Sequence, residues 1–187
     1  MNHLGTITLR TERLVLCQFA KMDAEDMYKN WASSEAVTKY LRWLPHENVE
    51  VTRSLIDEWE ENYKNPTFYH WAIVLRDINE PIGSISVVDM DDKAGMVHIG
   101  YCIGEKWWHQ GITTEALRAV IDFFFNYIGA ERVESQHDPN NPNSGLVMEK
   151  CGMHYERTIE NGDVSNQGIV DAKMYAISRA EWLKNRE

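Results

Sequence analysis

The stretch from Tyr101 to Ala116 reads YCIGEKWWHQGITTEA and organises the rest of the chain. An apolar run stops at Gly104, a polar and aromatic loop follows, and a long apolar segment begins after Gly111. This pattern predicts a strand, a loop and the N-terminus of a helix. The first N–H groups of a helix have no intrahelical partner, and the helix dipole adds about half a positive charge at that end. The stretch therefore predicts a site for phosphate or pyrophosphate, although an ordinary strand-to-helix connection has the same pattern.

The length and charge of the chain bound its organisation and its partners. Its 187 residues are enough for one domain with a core of its own, and we predict a single domain over residues 1–187. Asp and Glu outnumber Lys and Arg by 29 to 19, which gives a net charge of −10. This charge argues against nucleic acid and favours a cationic partner, such as an amine or a basic peptide. A surface selected for solubility would carry the same charge.

Cysteine and histidine usage points to a cytoplasmic protein without a metal. The three cysteines, Cys17, Cys102 and Cys151, are widely spaced and odd in number, which indicates free thiols in a reducing compartment. The seven histidines show no metal-binding spacing, so we expect no metal. We find no signal-like segment at the N-terminus and no apolar run near the roughly 18 residues of a membrane span. We therefore expect no membrane partner.

Periodicity and turn residues predict the order of helices and strands. The predicted strands lie in 6–19 (a pair), 68–75, 82–90, 96–103, 132–137, 153–159 and 168–177, and the predicted helices in 23–32, 35–41, 49–63, 112–128, 144–151 and 179–185. Strands that alternate with helices and end in an antiparallel hairpin predict a mixed sheet with helices on both faces.

Two of these elements carry most of the information. In the strand 96–103, Val97, Ile99, Tyr101 and Ile103 share one face, whereas Met96, His98, Gly100 and Cys102 share the other. The helix 112–128 has one narrow polar stripe, which predicts a central packing element. Along that stripe, spacings of three and four residues predict the ion pairs Glu115–Arg118 and Arg118–Asp122.

Three blocks of sequence together carry a family resemblance. They are VHIGYCIGEKWWHQGITTEAL from Val97 to Leu117, NxxSxxxxEKxGM from Asn141 to Met153, and NQGxVDxxxY followed by SRAEW from Asn166 to Trp182. With the opening LRTERLVL, they resemble the GNAT (Gcn5-related N-acetyltransferase) superfamily over nearly the whole chain. The branch that acetylates the N-termini of ribosomal proteins is the most similar.

The resemblance implies a fold and a reaction. The fold would be α+β, with a mixed, mostly antiparallel central sheet of six to seven strands and helices on both faces. The reaction would transfer acetyl from acetyl-CoA directly to a primary amine, most readily a protein N-terminal α-amine. A small amine, such as a polyamine or an aminoglycoside, is an alternative acceptor, and a non-catalytic domain that binds coenzyme A is a further alternative. A homodimer is compatible with the family.

The same resemblance implies the coenzyme site. The pyrophosphate would lie on backbone N–H groups of the loop and first helical turn, with two threonine hydroxyls as further donors: His109, Gln110, Gly111, Ile112, Thr113 and Thr114. The pantetheine arm would run along Cys102 and Ile103, and Asn141 would bind it from the other side. Position 109 is more often Gly in relatives, so a positive φ there would cost His109 some strain.

Three residues are candidates for the chemistry. Ser144 would serve the leaving sulfur in place of the Tyr that many relatives carry at the position of Met148, although a helix N-cap is an equally natural role after Asn-Pro-Asn. His98 would be the general base, with an unperturbed pKa of about 6.5, or else a structural histidine of the sheet. Asp163 is the alternative base, or else a turn former. The backbone N–H near Ile103 would stabilise the oxyanion.

Overall fold

The computed structural model describes residues 1–186, and its eight strands form one sheet in the order β1-β2-β3-β4-β5-β6-β8-β7. The strands are β1 (Leu9–Arg10), β2 (Leu14–Cys17), β3 (His70–Leu75), β4 (Glu80–Asp91), β5 (Met96–Ile103), β6 (Arg132–His137), β7 (His154–Ser165) and β8 (Gly168–Ser178). β5 and β6 are parallel, and the other neighbours are antiparallel. The predicted mixed sheet is confirmed, but the predicted six to seven strands are too few. The alternating residues 6–19 predict the strand pair that forms β1 and β2, which brings the count to eight, and the two-residue β1 pairs with Val15 and Leu16.

Helices cover both faces of the sheet. They are α1 (Ala24–Met27), α2 (Glu35–Thr38), α3 (Val49–Asn62), α4 (Ile112–Phe123), α5 (Pro142–Lys150) and α6 (Arg179–Lys184). Both α1 and α4 continue into a π-helical turn, Tyr28–Ala32 and Phe124–Ile128 respectively. No helix within residues 1–186 combines the length and the apolar character needed to cross a bilayer.

Two apolar clusters hold these layers together. The larger lies between the sheet and helices α4, α5 and α6, and it includes Val97, Ile99 and Ile103 of β5. The smaller lies under α1, α2 and α3, and Cys102 packs against it. The two predicted faces of β5 therefore meet different helical layers, because successive side chains of a strand point to opposite sides.

Helix α4 is the central packing helix that its narrow polar stripe predicts, with Ala116, Leu117 and Val120 fully buried. The polar residues of the stripe bind outside the helix. Glu115 pairs with Arg13, Arg118 donates to the carbonyl of Lys150, and Asp122 accepts from Trp182 Nε1 at 2.8 Å. The predicted ion pairs Glu115–Arg118 and Arg118–Asp122 are therefore wrong for the described part of the chain. An exposed pair within one helix gains only a few tenths of a kcal/mol, so partners elsewhere compete easily.

Candidate active site

The candidate site lies where the parallel strands β5 and β6 separate. Their ladder consists of three residue pairs and ends at His98 and Glu134. One residue further on, the Ser135 hydroxyl donates to the carbonyl of Ile99 at 2.8 Å. Beyond this point β5 continues to Ile103 without β6 as a partner. Because the strands are parallel, their C-terminal ends meet the same edge of the sheet. The segments that follow them are therefore brought together.

The loop after β5 turns sharply into helix α4. Gly111 is the N-cap residue of α4 and has φ 73°, while His109 has φ 59°. The positive φ that the sequence analysis considered at position 109 is therefore present, and a non-glycine residue adopts it at a cost. The first N–H groups of α4 belong to Ile112, Thr113 and Thr114, and they point towards this loop.

Three hydrogen bonds hold the loop in this shape. The indole of Trp108 donates to the carbonyl of Ile103 at 2.9 Å, which folds the loop back onto the end of β5. The Gln110 side chain donates to the carbonyl of Lys106 at 2.8 Å. The Arg13 guanidinium donates to the carbonyl of Gln110 at 2.9 Å. The loop is thus fixed by its own side chains and by the N-terminal segment.

Arg13 is itself oriented by Glu115 in the first turn of α4. The Glu115 carboxylate accepts from the Thr11 hydroxyl at 2.6 Å, from Arg13 N at 2.8 Å and from Arg13 Nε at 2.7 Å. Partial burial alone would raise the pKa of Glu115, but these donors outweigh burial and lower it. An ionised carboxylate near a helix N-terminus is also favoured by the helix dipole.

A groove with a cavity volume of about 940 Å³ runs along α4 from this loop. Its lining includes Gly111 and Thr114, the cations Arg10, Arg13, Arg118 and Lys150, and the acids Glu12, Glu115 and Asp122. The groove thus carries four cations against three carboxylates, a small positive excess in a chain of net charge −10. The donor set of this loop therefore fits an anionic group such as a pyrophosphate.

Helix α5 lies beside the end of β6 and carries two predicted site residues. Asn141 is its N-cap residue, and the carbonyl of Asn141 accepts from Ser144 N at 3.1 Å. Ser144 is therefore the third residue of the helix, and its hydroxyl does not serve as the N-cap. That hydroxyl donates instead to the Tyr101 hydroxyl at 3.1 Å, and Tyr101 donates to the carbonyl of Ser144 at 2.9 Å. Ser144 is thus tied to β5 across the separated strands.

His98 lies on the other face of β5, towards the α1–α3 layer. Across the sheet it is paired with Asp89 of β4 and with Glu134 of β6. Burial lowers the pKa of His98, while the nearby carboxylates of Glu134, Asp89 and Asp163 oppose this shift. The imidazole is therefore neutral at neutral pH and can accept a proton.

Asp163 of β7 is held in an ion pair. Its carboxylate accepts from Gln136 Nε2 at 2.7 Å and from Arg42 Nε at 2.8 Å. Burial would raise the pKa of Asp163, but these donors and the N–H of Val164 lower it below its usual value. Asp163 is close enough to His98 to influence its pKa, so the two candidate bases belong to one polar region.

The turn between β7 and β8 is fastened to the loop after α2. The Asn166 side chain donates to the carbonyls of Thr38 at 2.9 Å and Trp43 at 2.7 Å, and Asn166 N donates to the carbonyl of Leu41 at 3.0 Å. This contact joins segments more than a hundred residues apart, since Asn166 and Thr38 are separated by 128 positions. It therefore joins the β7–β8 turn to the helical layer on the His98 face of the sheet.

The sequence predicts most residues of this region but gives no role to three of them. Alternation places Tyr101 on one face of β5, and no pattern assigns a function to Arg13 or Asn166. The available signal for Tyr101 was a hydroxyl group on an otherwise aliphatic face, because a buried Tyr O–H usually finds a partner. Within the described residues 1–186, no group of three or more His, Cys, Asp or Glu side chains is placed to hold a metal ion.

Two parallel strands that separate beside the N-terminus of a helix are the arrangement that the sequence resemblance leads us to expect. The family model described as "Acetyltransferase (GNAT) domain" matches residues 13–154, and the chain belongs to this family. It is accordingly an N-acetyltransferase that depends on acetyl-CoA.

Individual relatives extend over nearly the whole chain. An uncharacterized N-acetyltransferase, p20, of Bacillus licheniformis is 26% identical over 175 residues, which cover 94% of this chain and 98% of the relative. A [ribosomal protein uS5]-alanine N-acetyltransferase of Escherichia coli is 22% identical and covers 99% of this chain and 97% of its own. The crystal structure of the microcin C7 self-immunity acetyltransferase MccE, in complex with acetyl-CoA and AMP, superposes with a TM-score of 0.79 at 20% identity, covering 90% of this chain and 93% of that one.

Proposed function

We propose that this enzyme acetylates the α-amine of a protein or peptide N-terminus. The observation that carries the proposal is that the two faces of β5 present different polar groups. His98 lies on the face towards α1–α3, and Tyr101 with Ser144 lies on the face towards α4 and α5. A proton acceptor and a pair of hydroxyl donors thus lie on the two faces of one strand. Direct transfer between an amine and a thioester needs a base for the amine and a donor for the leaving sulfur. The E. coli relative, whose name specifies a ribosomal protein N-terminal alanine, supports this kind of acceptor.

The coenzyme is assigned to the edge where β5 and β6 separate. Backbone N–H groups from His109 to Thr114 would hold its pyrophosphate, with the hydroxyls of Thr113 and Thr114 as further donors. Its pantetheine arm would add to the free edge of β5 at Cys102 and Ile103, as an extended ligand adds to a sheet. Asn141 would bind the arm from the side of α5. The groove that starts at Gly111 and Thr114 is lined by the cations Arg13, Arg118 and Lys150, which would favour an anionic group beside α4.

His98 is proposed as the general base. Burial keeps its imidazole neutral at neutral pH, so it can take the proton that the attacking amine must lose. Asp163 remains the alternative base, but its ion pair with Arg42 makes its carboxylate a weak proton acceptor. We assign Asp163 instead to holding Arg42 and Gln136 at the acceptor side.

Negative charge develops on the carbonyl oxygen and on the leaving sulfur during the reaction, and each has a candidate hydrogen-bond donor. Acetyl-CoA supplies the activated acyl group when it is bound. The backbone N–H near Ile103 would face the carbonyl oxygen on which negative charge develops. The Ser144 hydroxyl would hydrogen-bond the sulfur that leaves.

A small amine is the second candidate acceptor. Three carboxylates lie near His98: Glu134 is paired with Arg132, Asp163 is paired with Arg42, and Asp89 has no such ion pair within residues 1–186. The acidic excess would favour a cationic group, which a polyamine or an aminoglycoside would supply as well as a peptide N-terminus. For either acceptor we propose a single cytoplasmic domain, without a nucleic acid or membrane partner and without a metal. The continuous sheet through all eight strands supports the single domain. A homodimer is compatible with this proposal.

An acceptor screen with labelled acetyl-CoA tests the proposal. Peptides with different N-terminal residues form one panel, and polyamines and aminoglycosides form the other. We expect label on the peptide α-amines, with acetylated N-termini identified by mass spectrometry. Turnover of small amines alone would show that the peptide assignment is wrong. A peptide with a blocked N-terminus and a free lysine is the control that separates α-amines from side-chain amines.

A further inference from the structure

We propose that Tyr101 is a positioning residue that acts through Ser144 on the leaving sulfur, an inference that rests on the proposed function. The two hydroxyls are in mutual contact: Ser144 Oγ donates to Tyr101 Oη at 3.1 Å, and Tyr101 Oη donates to the carbonyl of Ser144 at 2.9 Å. They join the strand and the helix on the two sides of the separation between β5 and β6. Together they form a two-hydroxyl relay that ends at Ser144.

Rigid elements hold both ends of the relay. Tyr101 is a residue of β5, and Ser144 lies in the first turn of α5. Helix α5 packs closely on β6, because a Cβ at Gly145 would lie 2.6 Å from His137 Nε2. A side chain at position 145 would therefore displace the His137 ring or move α5 away from β6. Residues whose neighbours are locked in this way keep a catalytic geometry within narrow limits.

Ser144 is the hydroxyl-bearing residue of α5, whose sequence is PNSGLVMEK. One turn after Ser144, Met148 is fully buried and has no hydrogen to donate. Burial also raises the pKa of Tyr101, so its phenol stays protonated over the working range of the enzyme. Tyr101 is thus a permanent hydroxyl donor within reach of Ser144.

The relay would work by rotation of two hydroxyl groups. Before reaction the Ser144 hydrogen points to Tyr101, and the Tyr101 hydrogen points to the Ser144 carbonyl. As the C–N bond forms and the C–S bond breaks, the electron pair of the broken bond remains on sulfur, and the amine proton goes to His98. Ser144 then turns its hydrogen to the thiolate, and Tyr101 turns its hydrogen to Ser144 Oγ. Neither hydroxyl loses its proton; the negative charge on sulfur is stabilised by two hydrogen bonds in series.

Kinetics of Tyr101→Phe, Ser144→Ala and the double variant test the relay. We expect Tyr101→Phe to lower kcat by about tenfold with little change in KM for acetyl-CoA, because one charge-assisted hydrogen bond is lost in the transition state. The double variant should be no slower than Ser144→Ala alone, since Tyr101 acts only through Ser144. Multiplicative losses in the double variant, or a loss only in KM, would overturn the relay. Tyr127→Phe is the matched control, because Tyr127 is 64% exposed on the far end of the α4 segment.

A second measurement needs no turnover. Coenzyme A is bound to each variant, and the pKa of its thiol is obtained from the ultraviolet absorbance of the thiolate. We expect the wild type and Tyr127→Phe to lower the pKa of the bound thiol, and Tyr101→Phe and Ser144→Ala to return it towards the value of free coenzyme A. An unchanged pKa in Tyr101→Phe would overturn the relay. A wild type that transfers acetyl to no amine, yet shows these shifts, would overturn the proposed function and leave the relay standing. Absence of coenzyme A binding would overturn both.

Discussion

The guanidinium group of Arg13 contacts the loop and the helix of the coenzyme site at once. It donates to the carbonyl of Gln110 at 2.9 Å and to the carboxylate of Glu115 at 2.7 Å. A side chain from the turn between β1 and β2 therefore fixes the loop at the N-terminus of α4. The short N-terminal strands are thus part of the site, although they lie far from it in sequence.

Replacement of Arg13 by Ala should weaken the binding of acetyl-CoA. We expect the dissociation constant to rise by about three- to tenfold, because the loop loses charge-assisted hydrogen bonds that keep its N–H groups aligned. Calorimetry measures the change. Arg10→Ala is the control, since Arg10 is exposed and is likewise near the groove. Equal weakening in both variants would indicate a general loss of positive charge instead of a loss of loop alignment.

The positive φ at His109 predicts which substitutions there preserve the binding of acetyl-CoA and which weaken it. At φ 59°, glycine fits without strain, whereas a β-branched residue fits poorly. We expect His109→Gly to bind acetyl-CoA within about threefold of the wild type, because relief of strain offsets the greater freedom of glycine. His109→Val should bind more weakly by about tenfold or more. If His109→Gly lost as much affinity as His109→Val, the imidazole itself and not the backbone would be important for binding.

The pH dependence of turnover distinguishes the two candidate bases. Because burial lowers the pKa of His98, kcat should be level through neutral pH and fall only below about 6.5. His98→Gln should lose about a hundredfold or more in kcat, with loss of this acid limb. The Asp163 pKa is lowered as well, so an acid limb due to Asp163 would lie below about pH 4. If Asp163→Asn lost nearly all of its kcat while His98→Gln kept the kcat of the wild type, Asp163 would be the base instead of His98.

The Asn166 contact should control the acceptor side alone. Asn166→Ala removes two hydrogen bonds to the loop after α2, at a cost of about 1–3 kcal/mol in the free energy of unfolding. We expect KM for the acceptor to rise several-fold while KM for acetyl-CoA stays nearly constant. Steady-state kinetics with each substrate varied, together with denaturant titration, gives both numbers. The control is Gln167→Ala at the neighbouring exposed position, which should change neither the KM for the acceptor nor the free energy of unfolding.

His70 should make the stability of the protein sensitive to acid. Its ring packs 4.0 Å from that of Trp59, and within residues 1–186 its Nε2 has no hydrogen-bond partner. Burial lowers the pKa of His70 to about 3. The unfolded chain binds the proton at about 6.5, so the stability is fully present above that pH and is lost as pH falls towards 3, at up to about 1.4 kcal/mol per unit.

His70→Phe should remove this part of the acid sensitivity. Denaturant titrations at about pH 7 and about pH 4.5 compare the variant with the wild type. We expect the free energy of unfolding to fall less between these two pH values in His70→Phe. His154→Phe is the control, because the His154 side chain is half-exposed. An identical loss in His70→Phe and the wild type would mean that another group titrates.

The bounds of helices and strands could be predicted from the sequence where they depend on a pattern of neighbouring residues. β5 and β6 have the predicted bounds, because alternation over six to eight residues leaves little choice of register. The predicted helix 144–151 begins earlier, at Pro142, since proline is well suited to the first turn. Contacts between segments that are distant in the sequence could not be predicted from local patterns. Glu115 binds Arg13, 102 positions away, and Ser144 binds Tyr101, 43 positions away, and no local pattern indicates which distant residue each would meet. The roles assigned to His98, Ser144 and Asp163 remain predictions.

The short ladder between β5 and β6 divides the backbone hydrogen bonding of the sheet into two parts. Five strands lie on one side of this line and three on the other, and three residue pairs of the ladder join them. Side chains also cross the line on both faces, Tyr101 to Ser144 on one and Arg42 to Asp163 on the other. An extended ligand that adds to the free edge of β5 would continue the ladder where β6 leaves it. Because such a ligand binds the folded chain alone, its binding free energy would add to the free energy of unfolding, and the melting temperature should rise with coenzyme concentration.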